Sequence, residues 1–121
     1  MATTIERIAP LLASLPQTIS MVVRERRPTG DYFEGVLSQQ EVARCCALLQ
    51  ATFGPAAKDF GKTARFEAAI QRAVDRLGGV RLEQCVFYAQ PEPQRIAYAT
   101  LWPWASDAGR VTLKIGILEL R

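Results

Sequence analysis

The spacing of apolar residues divides the chain into helical segments at the front and middle and an extended end. Ile5, Ile8, Leu11, Leu12 and Leu15 fall on one face of a helix near residues 3–15, the spacing that keeps one side of a 3.6-residue turn apolar. Thr3 and Glu6 stand three apart at its start. In that capping-box arrangement the hydroxyl and the carboxylate each satisfy a free backbone amide. Pro10 lies inside the stripe and removes one backbone donor, so a kink or two short pieces are expected there, with Pro16 ending the segment.

Residues 18–25 are rich in β-branched side chains and too short for a stable helix, which predicts a strand. Pro28-Thr29-Gly30-Asp31 supplies turn chemistry, and residues 32–37 return as a second strand beside the first. Ser38 and Glu41 form another capping-box pattern. Val42, Cys45, Cys46, Leu49 and Phe53 then continue at helical spacing up to Gly54-Pro55, predicting a helix near 39–53. Phe66, Ala69, Ile70, Ala73, Val74 and Leu77 predict another near 63–77, capped by Thr63 and closed by Gly78-Gly79.

Beyond residue 80 the period changes to two. Val80–Gln90, Arg95–Trp102 and Arg110–Leu120 read as extended runs joined by short proline-rich or polar links, which favours an antiparallel meander. Val111, Leu113, Ile115 and Ile117 alternate with Thr112, Lys114 and Gly116, so one sheet face should be apolar and the other more polar. The expected fold is α+β: an antiparallel sheet built on this C-terminal three-strand meander and extended by strands near 18–25 and 32–37. Helices near 3–15, 39–53 and 63–77 are expected on one face, within a single domain spanning 1–121.

Composition adds bounds. The chain has 121 residues, 49% apolar and 22% charged, the mix of a packed globular domain and not of a disordered tail. No run of about eighteen apolar residues occurs and the N-terminus lacks a basic stretch followed by an apolar one, so neither a membrane span nor secretion is expected. Cys45, Cys46 and Cys85 make an odd count without metal-ligand spacing. They read as reduced, core-packing thiols of a cytoplasmic protein. The net charge of +3 is spread over the three thirds of the chain, which argues against nucleic acid as a partner.

Candidate chemistry is thin. Ala56 to Thr63 matches the loose form of a phosphate-binding P-loop, a small residue, four others, then Gly61-Lys62-Thr63. A helix instead of a strand precedes it, and Asp59 and Phe60 occupy a loop that needs bare amides. The element order also suits a winged helix with 63–77 as recognition helix, a DNA-binding alternative. Glu67 and Asp75 on its outer face would repel phosphate. The absence of histidine removes the usual general base and the commonest zinc ligand. A small enzyme with a carboxylate site drawn from Asp31, Glu34, Asp59 and Asp107, with Lys58 or Tyr98, is a further alternative, and the balance is against catalysis.

Arg24, Arg26 and Arg27 form the densest positive cluster, a weak anion-binding candidate or simply a solubilised strand end. The least ordinary stretch is Tyr98 to Arg110. Tyr98 and Trp102 share one strand face, with Trp104, Asp107 and Arg110 following. Tyr and Trp join an apolar body to a polar tip and suit interfaces and ligand pockets. The reading is a non-enzymatic binding or assembly module without cofactor or metal, taking a protein partner or small molecule through Tyr98, Trp102, Trp104, Asp107 and Arg110. A homodimer through this aromatic face or the 110–120 edge is one form of it.

Overall fold

The computed structural model describes residues 4–27, 32–63, 66–78, 81–107 and 109–120. Helix α1 (Thr4–Thr18) leads into β1 (Met21–Arg26) and β2 (Tyr32–Ser38); a 3-10 turn at Gln39–Glu41 opens α2 (Val42–Phe53); α3 (Ala68–Arg76) precedes β3 (Cys85–Glu92), β4 (Arg95–Pro103) and β5 (Arg110–Glu119). The expected antiparallel α+β architecture is present. All five strands form one antiparallel sheet in the order β1-β2-β5-β4-β3. β5 is therefore the central strand and offers no edge to a second copy, which removes the expected 110–120 edge.

Register assigns the faces. Leu37, Val111 and Pro103 lie across from one another, as do Gly35, Leu113, Leu101 and Cys85, and Phe33, Ile115, Ala99 and Phe87. This first face is buried under α1 and α2, whose Ile8, Leu11, Leu12, Leu15, Cys45, Leu49 and Phe53 complete the main core. Burying such aliphatic and aromatic side chains is worth about 1.5–3 kcal/mol each. The helices do not share that face. Ile70, Ala73 and Val74 of α3 pack with Ile96, Tyr88 and Leu118, residues of opposite parity, so α3 covers the β3–β4 side of the second face. Alternation in the strands leaves apolar residues on both faces, and the second stripe needs its own cover.

Several element boundaries shift. α1 runs unbroken through Pro10 and two residues past Pro16. Each proline removes one donor, a loss outweighed by the stripe of four large side chains buried on the other side. Thr3 lies outside the described residues, as does the 28–31 turn. Ser38 precedes a 3-10 turn and makes no side-chain cap. The cap residue of α3 is Glu67, so exposed Thr63 does not cap it. α2 ends where expected, at Gly54, whose φ of 83° is a conformation that favours glycine and lets its amide reach Gln50 O at 2.8 Å.

Both outer strands are guarded. The edge of β3 is closed by the linker after α2: Ala57 and Lys58 donate amides to Val86 O, and Val86 N–H returns a bond to Lys58 O. β1 is a free edge, but it carries a bulge at Arg24 and a run of charged side chains. Bulges and charges are the usual devices against edge-to-edge pairing.

Candidate functional site

At one end of the sheet, where β1 begins, β2 ends and β5 begins, lies a cleft of about 520 Å³ lined by Ser20, Met21, Val22, Val36, Leu37, Ser38, Asp107, Gly109 and Arg110. Its floor is the cross-strand pair Val22 and Val36. Val22 is 67% exposed, although β-branched aliphatic residues ordinarily bury in strands. The cleft lies on the part of the second face that α3 leaves uncovered.

The cationic wall is built by the β4–β5 loop. Arg110 Nε lies 3.2 Å from Asp107 Oδ2, and the guanidinium carbon lies 5.4 Å from the Trp104 ring centroid. Trp104 is anchored in turn: its amide donates to Arg110 O at 2.9 Å and its indole Nε1 donates to Thr112 Oγ1 at 2.8 Å. Asp107 also accepts the Gly109 amide on Oδ1 at 3.0 Å, and Gln39 N–H donates to Gly109 O, tying the loop to the end of β2. A planar guanidinium held between a ring and a carboxylate keeps further N–H donors for a second acceptor.

The tertiary structure thus brings Trp104, Asp107 and Arg110 together. Tyr98 goes elsewhere, whereas Trp102 stands across from Thr112, the residue that Trp104 hydrogen-bonds. Tyr98 is 3% exposed and packs against Gly116. Trp102 is half-buried, with the Lys114 ammonium 4.4 Å from its ring centroid and Gly78 beside its far edge. Lys114 lies 3.9 Å from Glu34, which accepts the Tyr32 hydroxyl at 2.9 Å, while the buried Trp102 Nε1 has no hydrogen-bond partner among the described residues. Arg24, Arg26 and Arg27 are strung along the exposed edge strand. Arg27 sits over the Tyr32 ring at 5.2 Å, and Glu25 and Glu34 are register partners beside them.

The P-loop-like segment holds no nest of bare amides. The N–H groups of Ala57, Lys58, Phe60, Gly61 and Lys62 donate to Val86 O, Val86 O, Asp59 Oδ1, Leu82 O and Asp59 O respectively. Buried Lys58 spends its ammonium on the carbonyls of Asp59, Leu82 and Gln84, while Lys62 is exposed. The two helices a winged helix would pack together lie on opposite sheet faces. The residues named for a carboxylate site are dispersed: Asp31 lies outside the described residues, Glu34 is on β2, Lys58 and Asp59 flank β3, and Asp107 is in the β4–β5 loop. Among the described residues no group of three or more His, Cys, Asp or Glu side chains is placed to hold a metal ion, and no helix is long and apolar enough to cross a membrane.

No protein family, curated protein or solved structure matches this chain. Sequence reasoning singled out the Trp104–Arg110 wall but missed the valine floor, for which the one local signal was apolar Val22 in a strand that otherwise carries charge.

Proposed function

We propose that the protein is a non-enzymatic binding module whose cleft takes a carboxylate-bearing ligand with an apolar flank, and that it works in a reducing compartment, the cytoplasm. The observation that carries this reading is the juxtaposition of exposed Val22 with an arginine already oriented by Trp104 and Asp107. An apolar floor with a few convergent polar groups is the usual composition of a ligand site. A guanidinium fork matches a carboxylate in geometry and charge. The Ser20 and Ser38 hydroxyls add donors along the rim. Three free cysteines support the compartment.

The same chemistry is offered by a small aliphatic carboxylate and by the C-terminus of a partner polypeptide. Tryptophan fluorescence of a Trp102→Phe variant, which leaves Trp104 as the reporter, is titrated with hexanoate, with a short peptide ending in Leu-Val, and with its C-terminal amide. A saturable shift with the free acids that is absent with the amide and lost in Arg110→Met supports the reading. The better of the two acids identifies the source. A flat response to both acids, or equal binding of the amide, overturns it.

A further inference from the structure

A second cleft, of about 400 Å³, lies beside β3 at the opposite edge of the sheet from β1. Cys46 of α2 and Cys85 at the start of β3 both line it, with Gln50, Lys58, Asp59 and Lys62. α2 packs directly on β3, and Cys46 packs against the core cluster that contains Cys85. The adjacent Cys45, about 100° away around the helix, points into that core and is fully buried. One of the neighbouring cysteines thus faces the cleft and the other does not.

The two cleft thiols are unequal. Cys85 is buried and Cys46 is half-buried. The neighbouring Cys85 thiol holds Cys46 below the ordinary cysteine range, Cys46 and burial hold Cys85 above it, and the Asp59 carboxylate pushes both upward. Lys58 acts the other way on Cys85. The arrangement is a thiol that loses its proton first, backed by a more protected thiol on the same cleft.

We propose that Cys46 and Cys85 form a dithiol site that reacts with low-molecular-weight disulfides of the glutathione type and closes into a reversible disulfide. The Cys46 thiolate attacks one sulfur of the external disulfide, forming a mixed disulfide and expelling one thiolate, which takes up a proton. Cys85 then gives up its proton and attacks Cys46 Sγ, expelling the second thiol. Two protein thiols are oxidised to one disulfide, and one external disulfide is reduced to two thiols. The new bond ties α2 to β3 across the main core. Cys45 takes no part, since it points into the main core and does not line the cleft.

The folded wild-type protein is incubated with glutathione disulfide, alkylated without reduction, and analysed by intact mass and peptide mapping. The expected product is a monomer lighter by two hydrogen atoms, with residues 46 and 85 cross-linked, restored by dithiothreitol. Cys45→Ser leaves this outcome unchanged. Cys85→Ser stops at one glutathionyl group on Cys46, and Cys46→Ser gives neither product. Wild-type protein that keeps both thiols free under excess disulfide, or a cross-link through Cys45 or between chains, overturns the proposal. Mapping on the wild type decides the question even where the Cys85 variant does not fold.

Discussion

Tyr98 and Gly116 face each other across β4 and β5, and a Cβ on residue 116 would lie 2.6 Å from the Tyr98 hydroxyl oxygen. The tyrosine is 3% exposed. A side chain at 116 must displace it, and overpacking of this kind costs about 1–3 kcal/mol. Gly116→Ala should lower the midpoint of urea unfolding accordingly, and Tyr98→Ala in the same chain should remove most of that increment. A variant as stable as the parent would show that the sheet gives way at no cost.

The same tyrosine makes stability depend on pH. Burial raises its pKa from 10.0 to about 12, with Arg27 opposing. The folded state therefore holds the proton more tightly than the unfolded chain. The contribution is fully present below pH 10 and is lost as pH rises from about 10 to 12, where the unfolded state binds fewer protons. Chemical denaturation at a series of alkaline pH values should show this fall, and Tyr98→Phe should make it shallower without abolishing it, since Tyr32, Cys45 and Cys85 are raised as well. An identical slope in the variant would assign the loss to other groups.

Two lysines in one loop should behave oppositely. Lys58 is 4% exposed and donates to the carbonyls of Asp59, Leu82 and Gln84, the last two fixing the approach to β3. Lys58→Met leaves those acceptors without their cation, a loss of about 1–3 kcal/mol. Lys62→Ala, at an exposed position, should change stability by less than about 0.5 kcal/mol. Equal effects in thermal melts would contradict the latch assigned to Lys58.

The arginines of β1 guard an open edge. Replacing Arg24 and Arg26 by threonine removes positive charge from the bulged, exposed strand and raises its β propensity. The expected result is concentration-dependent self-association in light scattering, at a concentration where the parent stays dispersed. A double variant that scatters like the parent would place the protection in the bulge alone.

Local patterning accounted for most elements. The alternation of Val111, Leu113 and Ile115 with Thr112 and Lys114 placed β5 correctly, because a strand with one apolar face has only one register that buries it. The stripe Ile70, Ala73, Val74 was equally legible, but not which face it would cover. Val80 to Gln84 was read as strand, yet its described residues 81–84 form a turn. There Lys58 and Gly61 bond to the Leu82 carbonyl, a partner far away in sequence.

The sequence alone determined that this chain forms helices and an antiparallel sheet, since periodicity and turn residues act over a few neighbours. Only the tertiary structure decided that α3 crosses to the second face, that β5 becomes the centre, and that Tyr98 goes inward while Trp104 and Arg110 stay at a cleft floored by Val22. It also decided that Cys46 and Cys85 line one cleft. These outcomes depend on which distant surfaces bury each other, a competition that no short window of residues contains.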